Sequence, residues 1–141
     1  MEESYTYDPF FLDVIRFQFE NEIKLAQLGL SQSHNPATHE ISKQILEAAK
    51  SDLVQIKKWR EDQYKMVPVV SPEEFSLKKL ELSKPSDFEK LYLEELKELT
   101  LNGQEIARMG AEQNFEPPIK AYAEKLQKTF TLRLTKMHKI Q

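Results

Sequence analysis

The 141-residue sequence contains no cysteine and only three glycines. Without cysteine there can be no disulfide, zinc knuckle, iron–sulfur cluster or catalytic thiol. Three glycines are too few for the many tight turns of a β-rich fold. No apolar run approaches the roughly 18 residues that would cross a bilayer. The acidic stretch 1–10 lacks the apolar segment of a signal peptide, so we expect a cytoplasmic protein, or a periplasmic or extracellular one whose leader was removed.

The charge balance and the missing catalytic motifs narrow the function. A formal net charge of −3 argues against general nucleic-acid binding, which needs a basic face to neutralise phosphates. No Gly-x-Ser-x-Gly, phosphate-binding glycine loop or His-Glu-x-x-His occurs, so nothing indicates an enzyme. The length and the 40% hydrophobic content fit one core, which predicts a single domain over 1–141.

Apolar residues recur at three- and four-residue steps in four segments, which predicts four amphipathic helices. Their expected ranges are 8–34, 36–64, 86–115 and 117–139. The expected starts carry a capping residue, a proline or a capping box, at Asp8-Pro9, Asn35-Pro36, Ser86-Asp87-Phe88-Glu89 and Glu116-Pro117-Pro118. Segment 65–85 holds three prolines but many apolar residues, so we expect a crossover that lies against the bundle, with a short helix starting at Ser71-Pro72-Glu73-Glu74.

The two halves of the sequence are related by one constant offset, which carries position 36 to position 117. This repeat offset pairs identical residues along the whole hairpin: Leu12 with Leu93, Asn21 with Asn102, Ala26 with Ala107, Gly29 with Gly110, Pro36 with Pro117 and Leu53 with Leu134. One helical hairpin cannot bury both of its faces, but two can close on each other. We therefore predict an all-α, ferritin-like four-helix bundle of two duplicated hairpins, 8–64 and 86–141, joined by the long crossover 65–85. Gly103 and Gly110, on one face of the third helix, are expected to allow close helix approach.

The first hairpin resembles the family called domain of unknown function 305, which includes CopM-like copper-binding proteins of bacteria. Residues 11–26, "FLDVIRFQFENEIKLA", follow the family's first-helix pattern F-L-D-x-M-I-P-H-H-x-x-A-I-x-M-A. Residues 52–59, "DLVQIKKW", follow the end of its second helix, E-I-x-x-M-x-x-W. The resemblance implies a helical bundle that binds copper, often outside the cytoplasm.

The residues at the family's metal positions depart from this pattern. Gln18 and Phe19 stand in place of the paired histidines, while Leu25 and Ile56 replace methionines. In the second half, Leu99 and Thr100 occupy the paired-histidine positions. Copper(I) favours thioether and imidazole ligands and copper(II) favours imidazole, so these substitutions remove the expected ligands. The sequence predicts a divergent member with buried Phe19 and Ile56, and with Gln18 at the bundle edge or bonded to a neighbouring helix.

Other metal sites remain open as alternatives. Met137 and His138, with Met109 from the third helix, are candidates for relocated copper ligands, although we favour core packing for Met137 and solvation at the helix end for His138. His34 and His39 flank the first turn and are expected to be solvated. A di-iron centre needs Glu-x-x-His pairs, and no histidine here has a glutamate three residues before it. The glutamates inspected for such a centre are expected to be surface charges: Glu20, Glu22, Glu47 and Glu105.

The sequence as a whole favours a non-enzymatic helical-bundle protein with a binding or accessory role and no cofactor. Its alternative is a protein that binds or sequesters copper or another transition metal through relocated methionine and histidine ligands. A protein partner or a homodimer stays open, whereas neither nucleic acid nor a membrane span is expected.

Overall fold

The computed structural model describes residues 2–70 and 75–140, with side chains from Tyr7 onward. Four long helices and one short helix make up the described part, which contains no strand. In chain order the helices are α1 (Glu2–Gln32), α2 (Pro36–Tyr64), α3 (Lys78–Glu81), α4 (Pro85–Gln113) and α5 (Pro117–Ile140). The predicted all-α architecture of four long helices is confirmed.

The long helices pack in pairs as two antiparallel hairpins. Helix α1 packs on α2 and α4 packs on α5, and the hairpins meet mainly along α1 and α4. The backbones of α2 and α5 come close together at few positions, although their side chains meet in the core. The hairpins therefore meet most closely along α1 and α4, and a groove lies between α2 and α5 beside Ile45 and Leu132.

Only part of the predicted start signals act as expected. At α2, the Asn35 Oδ1 accepts from the backbone N–H groups of Ala37 at 2.9 Å and Thr38 at 3.2 Å, with proline at the first position. Helix α1 instead begins before Asp8 and continues through Pro9. Helix α4 begins after Lys84 without a side-chain cap, so the predicted capping box at residues 86–89 is wrong. The carboxylates of both failed caps serve the opposite hairpin, as described below.

Glycines admit aromatic rings at equivalent places in the two halves. Phe11 of α1 lies against Gly110 of α4, and Tyr92 of α4 lies against Gly29 of α1. The repeat offset relates Phe11 to Tyr92, and it relates the two glycines to each other. A Cβ atom at either glycine would overlap the facing ring, so both sites require glycine for close approach. This reciprocal contact supports the duplication and the expected role of Gly110.

The crossover is only partly packed, contrary to the expectation from its apolar residues. Leu80 is buried and Phe75 and Leu77 pack against the core, but Met66 and Leu82 are 91% and 75% exposed. The start of the crossover is held by hydrogen bonds instead: the buried Arg60 guanidinium, paired with Asp13, donates to backbone carbonyl groups of residues 67 and 68. The helix expected at Ser71-Pro72-Glu73-Glu74 lies outside the described residues. The division of the single domain at 8–64, 65–85 and 86–141 stays a prediction.

Candidate functional site

Gln18, at one of the paired-histidine positions, lies in the centre of the bundle. Its Nε2 donates to the backbone oxygen of Leu99 and to Oε2 of Glu22, each at 2.8 Å. Its Oε1 accepts from Asn102 Nδ2 at 3.1 Å. The expected bond to a neighbouring helix is thus present, but the side chain is 2% exposed and does not lie at the edge. Because Gln18 and Leu99 are equivalent in the two halves, their contact marks where the halves meet.

A buried ion pair adjoins Gln18. Glu22 is fully buried, so its interpretation as a surface charge is wrong. Its Oε1 accepts from Nη1 of Arg133, on α5, at 2.9 Å. The Arg133 guanidinium also lies over the Phe130 ring, 5.1 Å from its centroid. Burial raises the pKa of Glu22, against the opposing effects of the Arg133 charge and the Gln18 hydrogen bond.

Further polar side chains extend this centre towards α2 and α5. Burial raises the pKa of Asp52, against the lowering effects of the Tyr122 hydroxyl and the Lys125 and Arg133 charges. Burial, followed by the charge of Asp52, raises the pKa of Tyr122. Trp59 packs edge-on against the Tyr122 ring at 5.2 Å between centroids. The repeat offset relates Asp52 to Arg133, so the two halves place opposite charges at equivalent positions.

The other family metal positions of the first hairpin carry side chains that pack rather than bind. Phe19 is buried and stacks on Phe130 at 6.2 Å between centroids. Leu25 and Ile56 are fully buried hydrocarbons. These side chains have no donor atom for a metal, and both polar atoms of the Gln18 amide are already hydrogen-bonded. The residues at these positions therefore do not fit a copper ion.

The candidates for relocated ligands are spread along the bundle. Met137 is buried, with its sulfur 3.9 Å from Thr100 Oγ1, whereas His138 is exposed. Met109 is half-buried near the end of α4, beside the start of α5. Since Met137 lies close to the other end of α5, roughly 20 Å or more of helix separates it from Met109 at about 1.5 Å per residue. The fold does not bring Met109 together with Met137 and His138.

The two turn histidines share a shallow cavity of about 420 Å³, whose lining includes Glu40 and Lys43. His34 is exposed, as expected, and His39 is half-buried. Across residues 2–70 and 75–140, no group of three or more histidine, aspartate or glutamate side chains is arranged to hold a metal ion. None of the described helices meets the length and apolarity needed to cross a membrane.

Two carboxylates fasten the hairpin turns from across the bundle. Asp8 of α1 accepts from the backbone N–H groups of Phe115 at 2.7 Å and Glu116 at 2.9 Å, in the turn between α4 and α5. Glu89 of α4 accepts from Ser33 Oγ at 2.6 Å and the His34 N–H at 2.9 Å, in the turn between α1 and α2. The repeat offset relates Asp8 to Glu89, and it relates the two turns as well. We call this pair the carboxylate clamps.

Sequence reasoning missed the ion pair and the clamps, although signals for both exist. Arg133 lies three residues after Phe130 and four before Met137, on the apolar stripe of α5. Glu22 lies likewise on the stripe of α1. A charge on an apolar stripe indicates a buried, paired group. The repeat offset also aligns Asp8 with Glu89, which indicates a shared role.

These features define a class of protein: an all-α bundle made of two related antiparallel hairpins with a polar centre. No protein-family model matches the sequence, and no curated protein matches it significantly. Solved structures of CopM share the fold. The Cu(I)-bound form superposes with a TM-score of 0.82 at 14% identity, and the Cu(II)-bound form with 0.83 at 13%. The apo form gives 0.81 at 14%, and each comparison covers 94% of this chain and 93% of CopM.

Proposed function

We propose that this chain is a divergent relative of CopM that acts as a non-enzymatic binding or accessory protein and has lost the copper site of the paired-histidine positions. The shared fold and the quoted resemblance of residues 11–26 and 52–59 support the kinship. The observation that supports the loss of the copper site is the Gln18 amide, which stands at a histidine position. Both of its polar atoms are hydrogen-bonded, and the bonds to Leu99 and Asn102 connect the two hairpins.

The ion pair beside Gln18 gives this proposal a physical basis. The buried Arg133 guanidinium already provides a positive charge beside the Glu22 carboxylate. A metal ion placed here would meet that charge in a region of low dielectric constant, where repulsion is strong. The arginine thus supplies the internal cation that balances the buried carboxylate of this centre, and the bundle needs no metal to do so.

Metal titration tests the proposal directly. Copper(I), copper(II) and zinc are added to the full chain in turn, with calorimetry and thermal unfolding as readouts. We expect no stoichiometric heat and no change in melting temperature, because only a ligand that binds the folded state stabilises it. A stoichiometric copper site of micromolar or tighter affinity would overturn the proposal.

The second candidate function is sequestration of copper or another transition metal through relocated ligands. Met137 favours it, since this residue keeps a sulfur atom at the position that the repeat offset relates to Ile56, where the family has methionine. Met137→Leu preserves the packing volume and removes the thioether. If copper raises the melting temperature of the parent by several degrees and this variant abolishes the effect, the second function replaces the first.

A further inference from the structure

Helix α5 differs in charge from the rest of the bundle. It contains six lysine and arginine residues and one acidic residue, Glu124, a formal charge of +5. Helices α1 and α4 each have a formal charge of −4, from six acidic and two basic residues in α1 and seven acidic and three basic residues in α4. The positive charge of this acidic protein is therefore concentrated on one helix.

The outward face of α5 carries this charge around an apolar side chain. Lys128, Lys136 and Lys139 are exposed, and Leu132 between them is 63% exposed. Their spacings of four, four and three residues place them on one face, along about 16 Å of helix at 1.5 Å per residue. None of these three lysines forms an ion pair with a described residue. We call these four residues the lysine face.

The lysine face borders the groove between α2 and α5, whose lining includes Leu132 and Lys136 of that face. The groove contains a cavity of about 190 Å³. Its walls are mostly apolar on the α2 side and mixed on the α5 side, and the lining residues are Ile41, Gln44, Ile45, Ala48, Thr129, Leu132, Arg133 and Lys136. An apolar cavity beside unpaired cations suits a ligand that combines an apolar side chain with flanking carboxylates.

We propose that the lysine face and the α2–α5 groove form a docking surface for an acidic amphipathic segment of a partner protein. The inference rests on the proposed binding role and names the chemistry of the partner. An apolar residue of that segment enters the cavity beside Leu132, and its carboxylates pair with Lys128, Lys136 and Lys139. Charge complementarity selects this occupant, because the face holds three unneutralised cations and a segment of matching length supplies the counter-charges.

Two other anionic partners fit this surface less well. A membrane would require a broad exposed apolar face, but the apolar stripe of α5 is buried in the bundle and Leu132 is a single exposed leucine. A nucleic acid would require a broad basic surface, but the positive charge is confined to one helix of a protein with a formal net charge of −3. A protein segment instead needs only the groove and one helix face.

The test uses the full chain, labelled with ¹⁵N, and a synthetic amphipathic helical peptide with leucines at three- and four-residue spacing on one face and glutamates on either side of them. A second peptide with glutamine in place of every glutamate is the uncharged control. Both titrations contain a metal chelator. We expect shifts of the amide signals of Ala48, Thr129, Leu132 and Lys136. The glutamine peptide should bind at least tenfold more weakly. High salt should weaken the glutamate peptide similarly, because screening shortens electrostatic range to about 3 Å at 1 M.

Charge reversal locates the surface. Lys128→Glu with Lys136→Glu should weaken the peptide at least tenfold without lowering the melting temperature, since both side chains are exposed. Lys50→Glu with Lys57→Glu makes the same charge change on the far side of α2 and should leave affinity unchanged.

Three results would overturn the docking surface: no binding of the glutamate peptide, equal binding of the glutamine peptide, or equal loss in both double variants. Binding to vesicles of anionic lipid without binding to the peptide would also overturn it. The copper titration is a separate measurement. A tight copper site with intact peptide docking would refute the lost-metal proposal and leave this one standing.

Discussion

At each end of the bundle, a carboxylate accepts hydrogen bonds from the hairpin turn, and the two carboxylates occupy equivalent positions in the two halves. Asp8 at one end and Glu89 at the other accept backbone N–H groups from the turn of the opposite hairpin. Asp8 is fully buried and also accepts from the Tyr64 hydroxyl at 3.2 Å, whereas Glu89 is half-buried. Both ends therefore keep a carboxylate clamp, although the side-chain length and the surroundings differ.

The centre of the bundle has changed much more between the halves. Glu22 corresponds to Gly103, and Asp52 corresponds to Arg133. Equivalent positions near the centre approach each other, so like charges at both would repel strongly in a low dielectric medium. A buried charge there requires an opposite charge or a small neutral residue in the other half. The two halves thus keep equivalent residues at the ends, where a carboxylate caps the turn backbone, and differ at the centre, where charged side chains come close together.

The largest expected loss of stability comes from removing one partner of the buried Glu22–Arg133 pair at the centre. Arg133→Met leaves the Glu22 carboxylate buried without its cation, which should reduce the free energy of unfolding by about 3–5 kcal/mol. The double variant with Glu22→Leu removes both charges and should recover most of that loss. Urea unfolding of the parent, both single variants and the double variant measures the coupling. A loss below about 1 kcal/mol for Arg133→Met would mean that the pair is solvated.

The clamps should differ in strength as they differ in burial. Asp8→Asn removes the charge from a fully buried acceptor and should destabilise by about 1.5–3 kcal/mol. Glu89→Gln affects a partly exposed acceptor and should destabilise by about 1 kcal/mol or less. Unfolding in urea at neutral pH checks the order, and equal losses would show that burial does not separate the two ends.

The reciprocal glycine contacts should respond alike to one added methyl group. Gly29→Ala meets the Tyr92 ring, and Gly110→Ala meets the Phe11 ring. Overpacking should outweigh the gain in helix propensity and destabilise each variant by about 1–2 kcal/mol. Thermal unfolding of both variants measures the effect, and Gly29→Ala should cost less in a Tyr92→Leu background than in the parent, because the facing ring is gone. Stabilisation by either alanine would contradict the close approach.

The smallest effect concerns pH, and it has opposite signs at the end and the centre. Burial raises the pKa of Glu89, but hydrogen bonds from Ser33 and the turn backbone outweigh it and lower the pKa below 4.5. Its contribution is present above about pH 4.5 and is lost as pH falls through the folded pKa. The raised pKa of Glu22 gives a contribution that is present below about pH 4.5 and is lost as pH rises through the folded pKa.

Melting temperature measured from acid to neutral pH separates the two contributions. Glu89→Gln should flatten the acid side of the profile, and Glu22→Gln should flatten the decline above about pH 4.5. Asp52→Asn is a useful comparison for Glu22→Gln, because burial also raises the pKa of Asp52. Parallel profiles for parent and Glu22→Gln would contradict the raised pKa.

Sequence reasoning predicted what depends on local pattern. Periodicity and the repeat offset led to the four helices and their pairing, and Asn35-Pro36 marked the start of α2. The failed caps at Asp8 and Glu89 have one physical cause: a capping carboxylate looks the same in sequence whether it serves its own helix or a distant turn of the other hairpin. The prediction that Glu22 is a surface charge failed for a similar reason, since its partner Arg133 lies on the last helix, far along the chain.

The carboxylate clamps have a consequence for how the chain folds. In each hairpin turn some backbone N–H groups donate to a carboxylate of the other hairpin, so neither hairpin alone satisfies all the donors of its turn. Contacts within a hairpin are local and form early, whereas the clamps join residues distant in sequence and require the hairpins to dock first. We therefore expect the turns to become fully ordered only after the hairpins dock, and unfolding to be cooperative across both hairpins.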